Sequence, residues 1–248
     1  MFNPDTRYTK QFVIKSYDVD AKKKASLQSI SRYMQEMATL HAMKLNLGFH
    51  DMMKENRAWV LAQMLISIDK LPSFHEEISI KTWSNGPDGR FAMRDYEVMD
   101  NAGNIIGGAS STWIVIDISE KRICRLDDYF TDYRYSDIKY ALNRKPTRIK
   151  SIQETESIHD IKVNYSDLDI NGHVNNVRYI DFILDMFSEE FRMKRNIYEI
   201  EMNFLKEAKL GDQLRGKLLQ GGNADEYLHT LMNESAGKPS FTARTKWR

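Results

Sequence analysis

The 248 residues fall into two copies of one pattern, and this internal repeat limits what the chain can fold into more than any single motif does. The first copy carries YDVDAKKKASLQSISRYMQEMATLHAMKLNLG and the second YSDLDINGHVNNVRYIDFILDMFSEEF. With Arg32-Tyr33 set on Arg178-Tyr179, an offset of 146, Met34, Met37, Ala38, His41 and Leu45 fall on Ile180, Ile183, Leu184, Phe187 and Phe191. Spacings of three and four place each set on one apolar stripe, so each copy is expected to contain one long helix. Gly48 is expected to stop the first helix in the left-handed conformation.

Strand-like segments rich in β-branched and aromatic residues follow each helix in the same order. They span 59–68, 77–83, 91–99 and 105–117 in the first copy, and 198–205, 213–219, 226–233 and 240–247 in the second. Pro72, Asn85-Gly86 and Asn101-Ala102-Gly103 separate the first set; Gly211-Asp212, Gly221-Gly222 and Ala236-Gly237 punctuate the second. Gly103 and Gly237, and likewise Trp113 and Trp247, share an offset of 134. Each copy therefore reads as an α+β unit, a helix laid on a curved antiparallel sheet, and a second copy relieves the unpaired sheet edges of the first. The expected domains are 1–125 and 158–248, joined by a polar, charged linker at 126–157.

Composition removes several function classes. Thirty-six Lys and Arg against 35 Asp and Glu leave a formal charge of +1, which provides no global field for a polyanion, so nucleic-acid binding is not expected. Cys124 is the single cysteine, and no CxxC pair or metal-ligand spacing occurs, so neither a disulfide, a metal nor another cofactor is expected. The opening MFNPDTRYTKQF has no basic or apolar leader, and no apolar window of membrane length follows; a cytoplasmic chain without a membrane span is expected. GxxxxGK[ST], GxGxxG after a strand, HExxH and GxSxG are all absent.

The copies differ just before their helices. The first has Asp18-Val-Asp20-Ala-Lys-Lys-Lys-Ala-Ser26, whereas the second has Asp167-Leu-Asp169-Ile-Asn171-Gly172-His173-Val-Asn175-Asn176. Asp and Asn are ordinary turn and cap residues, but an imidazole and a glycine among them suit acyl transfer to water. His173 can exchange a proton near neutral pH, Asp169 and Asn171 can orient it or a water, and Gly172 lets a carbonyl approach the backbone. A backbone N–H near Gly172 or His173, at a helix start with its partial positive charge, is expected to meet an oxyanion. His41 is expected in the core, whereas His50, His75, His159 and His229 are expected at the surface. Lys22 to Lys24 and the basic run 144–150 are solvated faces or a dock for an acidic partner.

The stretch NYSDLDINGHVNNVRYIDFILD at 164–185 resembles the acyl-acyl carrier protein thioesterases of plants and bacteria. Leu27-Gln-Ser-Ile30, Lys81-Thr-Trp83, Met93-Arg94-Asp95, Ala109-Ser-Ser-Thr-Trp113 and Phe204-Leu-Lys-Glu207-Ala208 extend the likeness over most of the chain. The resemblance implies a tandem (double) hot-dog fold and hydrolysis of fatty acyl-acyl carrier protein to free fatty acid. It implies a catalytic set of Asp169, Asn171, His173 and Glu207, no cofactor, and an acyl-chain pocket supplied by the first half. Many plant members have Cys where this chain has Ala208, so a cysteine nucleophile at that position is excluded here and water is the expected nucleophile. Acyl carrier protein is the implied partner, with salt-sensitive docking through Lys22 to Lys24 or the linker arginines. An acyl-CoA thioesterase, a hot-dog dehydratase and a non-catalytic acyl-binding protein are the competing readings, and monomer and homodimer both fit.

Overall fold

Ser26 starts the first helix by accepting the N–H of Ser29 on its side-chain oxygen, which satisfies one of the donors a helix start leaves unpaired. In the computed structural model, which describes residues 7–126, 140–155 and 157–248, helix α1 spans Leu27–Lys44. Met34, Met37, Ala38, His41 and Leu45 are all buried, as the stripe predicts. The chain separates into two units, Met1–Pro146 and Thr147–Arg248.

The first unit contains β1 (Tyr8–Val13), α1, α2 (Phe49–Lys54), β2 (Arg57–Ile68), β3 (Glu77–Asp88), β4 (Phe91–Asp100), β5 (Ile105–Asp117) and β6 (Arg122–Ile123). Its strands pair antiparallel in the order β1-β3-β4-β5-β2, with β6 on β5. The second contains β7 (Ser157–Lys162), α3 (Arg178–Leu184), α4 (Glu189–Lys194), β8 (Ile197–Phe204), β9 (Gln213–Gln220), β10 (Glu226–Asn233) and β11 (Lys238–Trp247). Its order is β7-β9-β10-β11-β8, also antiparallel, so the two units repeat one topology. Among the described residues no helix is long and apolar enough to cross a membrane.

Four local expectations change. Asn46, at φ 54°, takes the left-handed position after α1, while Gly48, at φ −72°, begins α2. A Cβ at Gly48 would stand 2.9 Å from Met43 Cγ, so close packing selects glycine there. Asn85-Gly86 is a bulge within β3 instead of a turn, because Asn85 is drawn inward between Trp83 Nε1 at 3.1 Å and Asp95 Oδ2 at 2.5 Å. The helical stripe of the second unit is divided: Met186 and Phe187 donate to the carbonyls three residues back, and Ser188 then caps α4 through the N–H of Phe191. Finally, His229 is fully buried, with Nε2 2.9 Å from Thr245 Oγ1 and its ring 5.6 Å from that of Phe187. Alternation on β10 carries it to the inner face, where burial pushes its pKa down to about 3.

The helices cover one sheet face in each unit; in the second, Tyr179 stacks on Phe241 at 4.9 Å between ring centroids. The other face holds buried polar side chains that clasp an extended segment. Glu201 Oε1 accepts the Thr147 N–H at 2.6 Å, Asn203 Oδ1 accepts Ile149 N–H at 2.7 Å, and Thr230 Oγ1 accepts Ile152 N–H at 2.9 Å. In the first unit Asp95 Oδ1 accepts from Ala141 N–H at 3.1 Å and from Ser110 Oγ at 2.5 Å. Burial pushes the Asp95 carboxyl above its ordinary range even though these donors oppose the shift. Of the expected linker, residues 127–139 and 156 lie outside the described residues.

Candidate active site

The segment between β7 and α3 is organised by two aspartates. Asp167, 2% exposed, accepts Asn164 N–H on Oδ2 at 2.8 Å and the Arg178 guanidinium on Oδ1 at 2.9 Å. Arg178 also pairs with Asp181. Asp169 closes a tight loop: its N–H donates to the His173 carbonyl at 2.7 Å, and its carbonyl accepts from Gly172 N–H at 3.1 Å. Its Oδ1 accepts the N–H of Asn171 at 2.8 Å and of His173 at 3.2 Å. Gly172 turns the loop at φ 75°, in the left-handed region that glycine enters without a steric penalty.

The strand-like edge of this loop carries the remaining residue into place. Val174 N–H donates to the Ala208 carbonyl at 2.9 Å, and His173 forms a β-bridge with Lys209. Glu207 is thereby held beside the loop, with its Oε2 3.1 Å from His173 Nε2. The imidazole is 26% exposed and the carboxylate 50%, so the pair is anchored yet open to solvent. Asn171 is exposed, and its Nδ2 lies 3.4 Å from Asp169 Oδ2. All four residues singled out in the sequence thus gather at one place, with His173 and Glu207 in direct contact.

One expected feature is corrected. The backbone N–H groups of Gly172 and His173 are not free for an oxyanion, because both already donate to Asp169. The loop lies ahead of α3, whose own start is served by Asn175: its Oδ1 accepts Val177 N–H at 3.0 Å. The exposed Asn171 amide is the side-chain donor that remains at the loop tip.

The first unit supplies an internal control, since it contains the same loop without the imidazole. Asp18 and Asp167, and Asp20 and Asp169, are each 149 positions apart. Asp20 Oδ1 accepts the N–H of Lys22 at 2.9 Å and of Lys24 at 3.3 Å, Asp20 N–H donates to the Lys24 carbonyl at 2.8 Å, and Lys23 takes φ 60°. Ala25 N–H donates to the Pro72 carbonyl at 2.7 Å, as Val174 does to Ala208. Of the four site positions only the aspartate is kept: Lys22 replaces Asn171, Lys24 replaces His173, and Leu71 stands where Glu207 does. Lys24 Nζ instead donates to Ser73 Oγ at 2.7 Å. The true offset at the loop is 149 and not 146; three residues is close to one helical turn, so an apolar stripe alone does not distinguish the two.

Sequence reasoning missed Tyr179. It is 3% exposed, and its phenol is raised to about 12, first by burial and then by the nearby carboxylates of Glu207, Asp212 and Asp169. Its place on the apolar stripe disguised the polar end of the side chain. Among the described residues no group of three or more His, Cys, Asp or Glu could hold a metal ion. Cys124 packs in the first unit against a cluster of Met52, Ala92, Val115 and Leu126. What the second unit offers is an imidazole–carboxylate pair, open to water, beside a loop tip where a Cβ at Gly172 would meet nothing within 4 Å.

Comparison with known proteins identifies the family. Residues 5–133 match the acyl-ACP thioesterase N-terminal domain and residues 150–248 match the C-terminal domain. The chain is 26% identical over 274 residues to the chloroplastic oleoyl-acyl carrier protein thioesterase 1 of Arabidopsis thaliana, covering 97% of this chain and 76% of that protein. It is 26% identical over 260 residues to a chloroplastic palmitoyl-acyl carrier protein thioesterase of Cuphea hookeriana, covering 97% and 62% respectively. An acyl-ACP thioesterase crystal structure from Bacteroides thetaiotaomicron superposes with a TM-score of 0.89 at 28% identity over 98% of each chain. The 12:0-ACP thioesterase of Umbellularia californica shares the fold, with a TM-score of 0.86 at 19% identity over 98% of this chain and 97% of that one. The two α+β units are hot-dog folds in tandem. With both domains matched in order along one polypeptide, the chain belongs to the acyl-acyl carrier protein thioesterase family.

Proposed function

We propose that this chain hydrolyses the thioester of fatty acyl-acyl carrier protein, releasing free fatty acid, and that His173 and Glu207 act as a unit on the attacking water. The family supports the reaction class, and the relatives are named as thioesterases of oleoyl- and palmitoyl-acyl carrier protein. The observation that carries the site is the 3.1 Å contact between His173 and Glu207, in the one copy of a duplicated loop that has these residues.

Water adds to the thioester carbonyl and gives one proton to the His173–Glu207 pair. The tetrahedral centre then collapses, the C–S bond breaks, and the proton passes to the departing carrier thiolate. Glu207 orients the imidazole and offsets the charge it gains, a division of labour that needs no thiol or hydroxyl nucleophile. Asn171 Nδ2 is the donor offered to the developing oxyanion. Asp169 acts through the loop: its Oδ1 makes the same backbone hydrogen bonds as that of Asp20, which has no imidazole to serve, and its Oδ2 in addition accepts from Asn171 Nδ2 at 3.4 Å.

Single-turnover hydrolysis of acyl-acyl carrier protein by His173→Ala, Glu207→Gln and the double variant tests this. Each single change is expected to slow turnover by roughly 10²- to 10⁴-fold, with the double variant little worse than the slower single one, because paired groups lose their effect together. Near-wild-type rates in both single variants would remove the site.

A further inference from the structure

The loop bearing His173 is a small hairpin. Leu168 bridges Val174, Asp169 N–H donates to the His173 carbonyl at 2.7 Å, and Asn175 N–H donates to the Asp167 carbonyl at 2.8 Å. The hairpin therefore closes at Asp167, and its second strand carries His173 to the turn that holds Glu207. The buried Asp167 carboxylate fastens this base to its surroundings: Oδ2 accepts Asn164 N–H at 2.8 Å, while Arg178 Nε and Nη2 lie 2.9 and 2.8 Å from Oδ1. Nη1 of the same guanidinium is held by Asp181, three residues along α3.

The first unit builds the same base with a different tie. Ser26 N–H donates to the Asp18 carbonyl at 2.9 Å, Val19 bridges Ala25, and Asp18 Oδ2 accepts Lys15 N–H at 2.9 Å. The second partner of Asp18 is the Tyr33 hydroxyl, which donates to Oδ2 at 2.6 Å. At the loop's offset of 149, Tyr33 corresponds to Phe182 and Ser29 to Arg178. Each helix thus supplies one donor side chain to its aspartate, from a different position: the hydroxyl lost at Phe182 is replaced by the guanidinium gained at Arg178, which lies 5.8 Å from the Phe182 ring centre. The two ties are unequal. A hydroxyl can swivel about its single bond, whereas a planar fork held by carboxylates at both ends fixes direction as well as distance. The stiffer tie belongs to the copy that has His173 and Glu207.

We propose that Arg178 is a positioning residue for the hydrolysis: by gripping Asp167 it sets the base of the hairpin that presents His173 to Glu207. This rests on His173 and Glu207 being the reacting pair. With its guanidinium taken by two carboxylates, Arg178 acts through Asp167 and not on the substrate.

Arg178→Ser installs the residue of the other copy and removes the fork; Arg178→Ser combined with Phe182→Tyr transplants the whole tie of the first unit. The single variant is expected to lower kcat on acyl-acyl carrier protein by about ten- to a hundred-fold with KM unchanged, since misplacement by an ångström costs on that order. The transplanted hydroxyl should recover most of that loss, although it restores no charge. Removing one partner of a buried pair also lowers the melting temperature, so rates are compared well below the melt of each variant. Asp181→Asn is the milder change: it leaves Arg178 on Asp167 but loosens the far end of the fork, and should lower kcat roughly two- to five-fold. Wild-type kcat in Arg178→Ser, or in Asp181→Asn should the former not fold, would overturn the inference. So would a loss that the transplanted hydroxyl does not recover, or a raised, salt-dependent KM with kcat unchanged, which would put the guanidinium on an acidic carrier instead. Glu207→Gln, run alongside, separates the two levels. If it retains the wild-type rate, the site itself fails; if it loses the rate while Arg178→Ser keeps its own, only the positioning role of Arg178 fails.

Discussion

The duplicated loop allows one substitution to be made twice, with different consequences. In each copy one carboxylate oxygen accepts two backbone N–H groups, at 2.8 and 3.2 Å for Asp169 and at 2.9 and 3.3 Å for Asp20. A hydrogen bond to a charged acceptor contributes about 1.5–3 kcal/mol and one to a neutral acceptor about 0.5–1.5, so Asp→Asn weakens each pair by about 2 kcal/mol. Both aspartates are only half-buried, and solvent screening brings the expected loss to about 1 kcal/mol. That corresponds to roughly 2–4 °C in melting temperature for a chain of this size. Asp20→Asn and Asp169→Asn should therefore destabilise alike in parallel melts and urea titrations. Single-turnover hydrolysis should be unchanged in Asp20→Asn. In Asp169→Asn it should fall by less than about ten-fold, far short of Glu207→Gln, because only the aim of His173 and Asn171 loosens. If Asp169→Asn stopped hydrolysis as completely as Glu207→Gln while keeping wild-type stability, the carboxylate would be acting on the substrate and the backbone role would be refuted.

His229 makes stability depend on acid. Its folded pKa of about 3 lies below the ordinary 6.5, so the unfolded chain binds the proton first; the contribution is complete above about pH 6.5 and drains away as pH falls towards 3. Between about pH 7 and pH 5 this amounts to about 2 kcal/mol, at roughly 1.4 kcal/mol per pH unit. Urea unfolding at the two pH values should show that loss in the wild type and not in His229→Gln; equal losses in both would rule it out. Gly172→Ala should cost about 1 kcal/mol in a thermal melt, because φ is 75° but an added Cβ meets nothing within 4 Å. A loss beyond about 3 kcal/mol would mean that the loop tip is packed more tightly than its geometry indicates.

Much of the fold was legible because short-range periodicity reports it. Alternating β-branched segments marked the four strands after each helix, and Met34, Met37, Ala38 and His41 fell where a stripe requires them. Legibility failed where two local solutions have similar energy. Asn85-Gly86 has the composition of a hairpin turn, but the buried Asp95 carboxylate draws Asn85 inward and makes it a bulge. His229 reads as a scattered polar residue until β10 is paired with β11 and its alternation is set. Phe187 and Phe191 continue one stripe in the sequence, yet Ser188 offers a cap that divides the helix between them.

The candidate site divides in the same way. The composition of the loop Asp169 to His173 is a sequence property, since a tight turn that needs φ above zero and an aspartate able to accept successive N–H groups uses only residues near one another in the chain. From residue types alone, His173 was a candidate for proton exchange and Asp169 for orienting it or a water. Tertiary structure separated them by bringing a second segment alongside: Ala208 and Lys209 pair with Val174 and His173, which sets Glu207 3.1 Å from the imidazole. Hydrogen bonds within a turn are encoded where the turn is written. A contact between distant segments exists only once the sheet has closed around it, because its energy comes from burial and pairing that no short stretch possesses by itself.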